Sequence, residues 1–176
     1  MYNRGCSRNR IFRSSENFRF LQRTLRDYTS HFEVLVIAYA LMPNHYHFVL
    51  KQCGDKSVGD CMQRIFNKYV KAFNKMYHRS GTLFEGPFRA IQIDEVGYLL
   101  RLCRYIHRNP LEAGLVKRIE QWEFSDYCDW IHPKAGVESP AVSLFPKYFK
   151  LPFEYAQFVL AGETPPEMQN KLIGLD

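Results

Sequence analysis

Residues 33–50 read Glu33-Val-Leu-Val-Ile-Ala-Tyr-Ala-Leu-Met42, then Pro43-Asn44, then His45-Tyr-His-Phe-Val-Leu50. The first run is apolar and rich in β-branched residues, so it predicts a central strand buried on both faces. Pro43-Asn44 is a turn signal, and the run after it predicts a second strand paired with the first as a hairpin. Working outward, Phe18, Leu21, Leu25 and Tyr28 recur at helical spacing behind Ser14 and Ser15, predicting a helix near 15–29. Ser57 is placed to cap a long helix reaching about Arg79, whose apolar stripe is Val58, Cys61, Met62, Ile65, Phe66, Tyr69, Val70, Phe73, Met76 and Tyr77. Residues 82–93 predict strand material broken at Gly86-Pro87. Asp94 predicts the N-cap of a helix from Glu95 to about Arg108, closed by Asn109-Pro110. Strands and helices alternate around a hairpin, so the fold class is α+β: a small antiparallel sheet with helices packed on it.

The chain has 176 residues, enough for one body with its own core. From His132 to Pro166 six prolines recur, which predicts a folded body over 1–131 and an acidic, Pro- and aromatic-rich extension over 132–176. That extension could fold back over the basic surface, or it could cover apolar surface with Phe145, Tyr148, Phe149, Phe153, Tyr155 and Phe158. No stretch is apolar enough to predict a membrane span, and no secretory leader is evident, so a cytoplasmic protein is expected. Five widely spaced cysteines, at 6, 53, 61, 103 and 128, form no Cys-x-x-Cys pair; buried free thiols are expected rather than disulfides or a thiolate zinc site.

Charge is unevenly distributed. Residues 1–120 hold 20 Lys and Arg against 10 Asp and Glu, whereas residues 121–176 hold 4 against 8. A net of +10 over residues 1–120 points to a polyanionic partner, nucleic acid before others. Arg4, Arg8, Arg10, Arg13, Arg19, Arg23 and Arg26 form an N-terminal set suited to bidentate phosphate contacts. Arg64, Lys68, Lys71 and Lys75 share the polar face of the long helix, where they could follow a DNA backbone or simply be solvated.

Two short constellations could carry chemistry. His45 and His47, two apart on a strand, share one face about 6.6 Å apart and can converge on one cation, while Tyr46 faces the other way. Two histidines alone do not complete a metal site, and a half-exposed strand would account for them equally. On the later helix Tyr105 and Asn109 are four apart and share a face, with Arg101 and Arg108 beside them. A tyrosine hydroxyl among guanidinium groups can attack phosphorus, and an amide oxygen can ligate a hard divalent ion. Ordinary packing of Tyr105 and turn capping by Asn109 would also explain them.

Taken together, four ordered segments go further. Ala38-Tyr-Ala-Leu-Met-Pro-Asn-His-Tyr-His-Phe-Val-Leu50, Phe73-Asn-Lys-Met-Tyr-His-Arg-Ser-Gly-Thr-Leu-Phe84, Tyr105-Ile-His-Arg-Asn-Pro-Leu-Glu-Ala-Gly-Leu-Val116 and Trp122-Glu-Phe-Ser-Asp-Tyr127 resemble the REP-associated tyrosine transposases. These are a branch of the single-tyrosine HUH transposases, named for a His-hydrophobic-His motif. The resemblance implies a ferredoxin-like HUH nuclease fold that cleaves and rejoins single-stranded DNA through a 5′-phosphotyrosine. It implies Mg²⁺ or Mn²⁺ held by His45, His47 and Asn109, with Tyr105 as nucleophile. The implied substrate is single-stranded DNA carrying a hairpin, and a monomer is expected over a homodimer. Arg4, Arg8, Arg10, Arg13, Arg64, Lys68, Lys71, Lys75, Arg101 and Arg108 are the expected DNA contacts. The competing expectations are a non-catalytic DNA-binding relative, such as a repressor or domesticated protein, and a rolling-circle initiator or relaxase.

Overall fold

The computed structural model describes residues 1–162. Three strands, β1 (Tyr2–Arg4), β2 (Val34–Leu41) and β3 (His45–Gln52), form one sheet in the order β1-β3-β2. Six helices accompany them: α1 (Ser15–His31), α2 (Val58–Met76), α3 (Val96–Glu112), α4 (Tyr127–Ile131), α5 (Pro140–Leu144) and α6 (Pro152–Leu160). The chain divides into two compact units, one of Met1–Ile37 with Leu41–Ile91, the other of Ala38–Ala40 with the described residues from Gln92 on. The division falls at residues 91/92, whereas composition alone places a boundary at 131.

In the first unit the hairpin forms as the sequence predicts, with the Met42 amide donating to the His45 carbonyl at 2.9 Å across Pro43-Asn44. The expectation that residues 33–42 make the central strand is corrected: β3 is central, because β1 pairs antiparallel along its other side, Tyr2 opposite His47 and Arg4 opposite His45. As an edge strand β2 is not buried on both faces, and Leu35 is 39% exposed. Residues 82–93 are not a strand either. They make isolated bridges to β1 and the residue after it, Arg89 with Tyr2 and Phe84 with Gly5, and between them Gly86 accepts a hydrogen bond from the Asn3 side chain at 2.9 Å. Pro87 has no N–H to give, so the ladder cannot continue through it.

Helices α1 and α2 pack on each other, with the Phe20 and Tyr69 rings 6.3 Å apart, although Met76 of the predicted α2 stripe is 50% exposed. The Asn17 Oδ1 accepts from the Arg13 and Ser14 amides at 2.9 and 3.2 Å, closing the start of α1. Ser57 caps α2 as predicted, its Oγ accepting from the Gly59 and Asp60 amides at 3.0 and 3.4 Å. Helix α2 ends at Met76, one turn earlier than predicted, where His78 turns into the left-handed region at φ 50°.

The second unit is built on α3, which starts one residue later and ends about one turn later than expected. Glu95 rather than Asp94 is its N-cap, and Asn109-Pro110 does not end it. Pro110 sits inside the last turn, and the helix closes beyond it with the Ala113 amide on the Asn109 carbonyl at 2.9 Å and Gly114 at φ 68°. A proline here forfeits only the single bond to the Ile106 carbonyl, which a final turn tolerates. Two prolines of the extension likewise start structure: Pro140 and Pro152 occupy the first turns of α5 and α6, while Pro165 and Pro166 lie outside the described residues. Phe145, Phe149 and Tyr155 are buried with Trp130, while Tyr148 and Phe153 are each 54% exposed. Residues 139–160 are therefore core material of this unit, in contact with α3 and α4. All five cysteines are free; only Cys61 and Cys103 are buried, so the expectation of buried thiols fails for exposed Cys6 and Cys53. Among the described residues no helix is long and apolar enough to cross a membrane.

Candidate active site

His45 and His47 lie on the middle strand of the sheet, on the face opposite Tyr46. Strand alternation separates them from the aromatic side, where Tyr46 stacks on Phe66 of α2 at 4.2 Å and meets Phe84 edge-on at 5.8 Å. The two imidazole rings meet at right angles with centroids 4.9 Å apart. Neither is half-exposed: His45 is 6% and His47 2% accessible. Burial, and then the neighbouring His45, push the His47 imidazole well below its ordinary range, so it stands neutral.

The first of these rings has a built-in orienting partner that the sequence reading did not single out. His45 Nδ1 lies 2.7 Å from the Asn44 Oδ1. The amide oxygen only accepts, so Nδ1 carries the proton, and in the neutral ring Nε2 keeps its lone pair. The turn residue before the strand thus orients the first histidine ring. Among the described residues no group of three or more His, Cys, Asp or Glu side chains converges. The imidazole pair by itself offers two borderline nitrogen donors, which leaves most positions of a divalent ion open.

In the second unit Tyr105 and Asn109 occupy one face of α3, as their spacing requires, and both are buried at 5% and 8%. Arg108 departs from the expectation of a free phosphate contact. Its Nε donates to Glu112 at 2.9 Å and its Nη1 to the Val159 carbonyl at 3.0 Å, so the guanidinium closes the C-terminus of α6. Arg101 is half-buried on the same helix.

The basic residues of the first unit differ in how far they are already engaged. Arg4 pairs with Glu85 at 2.7 Å and is largely covered. Arg13 is exposed and lies over Phe73 and Tyr77, at 5.5 and 4.9 Å from their ring centres. Arg64 and Lys68 lean on Phe32 and Tyr28 at 5.8 and 5.4 Å, keeping their charges at the surface. Arg8, Arg10, Lys71 and Lys75 are exposed. Arg8 follows Ser7 in a turn where both have positive φ, 58° and 54°.

The paired histidines lie on the middle strand of a three-stranded antiparallel sheet, and Tyr105 and Asn109 lie on a helix of the second unit. The family is then fixed by sequence: the model of the IS200-like transposases matches residues 3–109, a span that includes His45, His47, Tyr105 and Asn109. The chain belongs to the IS200-like transposase family. Its fold is similar to a solved structure of a REP-associated tyrosine transposase bound to a REP hairpin, with a TM-score of 0.63 over 74% of this chain and 75% of that one. Identity between the two is 18%, so this likeness establishes the fold. No curated protein matches the sequence.

Proposed function

We propose that the protein cleaves and rejoins single-stranded DNA, with Tyr105 as nucleophile and a divalent ion, Mg²⁺ or Mn²⁺, held by His45, His47 and Asn109. The observation that carries the reading is the buried imidazole pair on β3, 4.9 Å apart, with Asn44 holding His45 in the ligating tautomer. The ion, when bound, would polarise the scissile phosphate and offset charge developing on it. The Tyr105 hydroxyl attacks phosphorus, its oxygen bonding to the 5′ side as its proton leaves to solvent. The bond from phosphorus to the 3′-oxygen breaks, and that oxygen departs as a 3′-hydroxyl after taking up a proton. The phosphotyrosine keeps the energy of the broken diester, so attack by another 3′-hydroxyl reverses the step and joins strands without a nucleotide cofactor.

The substrate proposed is single-stranded DNA with a hairpin, by analogy with the REP hairpin bound in the similar structure. Exposed Arg8, Arg10, Arg13, Lys71 and Lys75, with Arg64 and Lys68 braced on rings, supply the backbone contacts. Arg4 and Arg108, already paired with Glu85 and Glu112, contribute little to them. Competing non-catalytic binding predicts the same affinity with no chemistry. The test is incubation with a fluorescent hairpin oligonucleotide and Mg²⁺ or Mn²⁺, followed by denaturing electrophoresis. A labelled protein band that vanishes with EDTA supports the reading, and hairpin binding without any such band favours the non-catalytic alternative.

A further inference from the structure

The second unit holds a buried polar chain that neither the proposed chemistry nor simple packing accounts for. His107 of α3 is 0% exposed. Its Nδ1 lies 2.7 Å from the Tyr155 hydroxyl of α6, and its Nε2 lies 3.1 Å from the Asp126 Oδ1 at the start of α4. Asp126 also accepts from the Tyr39 amide at 2.7 Å and from the Trp130 indole N–H at 3.2 Å. Both of those donors can only give, so Asp126 is the acceptor throughout and His107 presents Nε2–H to it. Nδ1 then accepts from Tyr155. Burial, foremost, raises the Tyr155 pKa well above the ordinary tyrosine range, which keeps its hydroxyl a donor.

An aromatic core does not need this chain for cohesion. Trp130, Tyr127, Phe145 and Phe149 already surround it, and buried polar networks seldom add net stability over apolar packing. What hydrogen bonds add is direction, because apolar contacts permit sliding and rotation while a fully satisfied polar network permits one arrangement. We propose that His107 is the positioning residue of the tyrosine-bearing helix, and that Tyr155 in the C-terminal segment and Asp126 are the two posts that fix its rotation.

The geometry makes the leverage explicit. His107 follows Tyr105 by two positions, so the two side chains project about 200° apart around α3. The network therefore grips the back of the helix that presents Tyr105. A roll of about 20° around the axis would carry atoms on the helix surface about 2 Å, and misplacement of that size costs orders of magnitude in reactive orientation. Two other links tie α3 to α6: the Arg108 bond to the Val159 carbonyl at 3.0 Å, and Arg104 over the Phe158 ring at 4.9 Å. Residues 152–160 are thus a clamp on the nucleophile's helix.

The inference rests on the transposase reading, and the experiment separates the two. Tyr155→Phe keeps the packed ring and deletes only the hydroxyl that holds Nδ1. The hairpin oligonucleotide should bind it as it binds wild type, within about twofold, while single-turnover adduct formation at 20 °C with saturating protein slows about tenfold or more. Amide exchange over Cys103–Asn109 should speed up in the same variant, with β3 amides unchanged. If Tyr155→Phe does not fold, His107→Gln serves, since its amide can still meet Asp126 and loses Tyr155. A variant with a lowered melting temperature but an unaltered single-turnover rate would show that the chain only stabilises, and would overturn the proposal. If wild type forms no adduct at all, the transposase reading fails by itself; amide exchange then decides the inference, and unaltered protection of α3 refutes it.

Discussion

The two halves of the proposed chemistry are held by opposite means. The histidines sit on a strand whose position is set by backbone ladders and by an aromatic layer behind it, Tyr46 on Phe66 and Phe48 beside them. Tyr105 sits on a helix whose rotation is set by side-chain hydrogen bonds to residues 19 and 48 positions away from His107. Strand alternation already points both imidazoles to one side, so their aim needs only local support from Asn44. A helix can turn about its axis without losing its own hydrogen bonds, so its aim has to come from outside. Ligands on strands and nucleophiles on helices consequently fail in different ways, and the predictions are built on that contrast.

The largest effect should come from the strand side. His45→Ala or His47→Ala removes a ligand outright and should lower adduct formation on the order of a thousandfold while leaving hairpin binding within a few-fold; single-turnover assays at fixed Mn²⁺ measure both. Retained cleavage in either variant would remove the histidine pair from the mechanism. The counterpart on the helix side is Tyr155→Ala, which deletes a fully buried ring and should cost about 3–5 kcal/mol in urea denaturation. A loss under about 1 kcal/mol would mean that α6 is not core, and would break the comparison.

A smaller change sharpens it. Asn44→Ala leaves the strand intact but frees the His45 tautomer, so the Mn²⁺ concentration for half-maximal cleavage should rise about 10- to 100-fold, with the rate at saturating metal little altered. An unchanged metal requirement would show that Asn44 only shapes the turn. Smallest is the phosphate term. Arg13→Ala should weaken hairpin binding and reduce the salt slope of log K by about one, whereas Arg108→Ala, whose guanidinium is committed to Glu112 and the end of α6, should leave the slope unaltered. Equal slopes for both variants would contradict the distinction between free and engaged arginines.

How much of this could be read in the sequence follows from the same contrast. Periodic features were legible: the β2–β3 hairpin, the Ser57 cap, the stripe of α2, and the shared faces of His45 with His47 and Tyr105 with Asn109. Strand order was not, because β1 has three residues and no pattern long enough to show that it would take the outer side of β3 and leave β2 at the edge. Proline was over-read as a breaker. Pro110 lies in a last turn, and Pro140 and Pro152 lie in first turns, where the missing N–H costs little. The His107 network was invisible because its members, His107, Asp126 and Tyr155, have no spacing in common and meet only after α3, α4 and α6 pack. The ion pair of Arg4 with Glu85, 81 positions away, and the bond of Arg108 to the Val159 carbonyl were equally hidden, because neither leaves a trace in composition.

The claim on which the rest depends is that Tyr105 becomes covalently joined to DNA. After reaction with a hairpin oligonucleotide in Mn²⁺, nuclease trimming and tryptic digestion, mass spectrometry should find one 5′-phosphodeoxynucleotide on the peptide containing Tyr105. That species should be absent from Tyr105→Phe protein, which still binds the hairpin. A nucleotide on the peptide carrying Tyr98 or Tyr127, or an adduct that persists in Tyr105→Phe, would contradict the account.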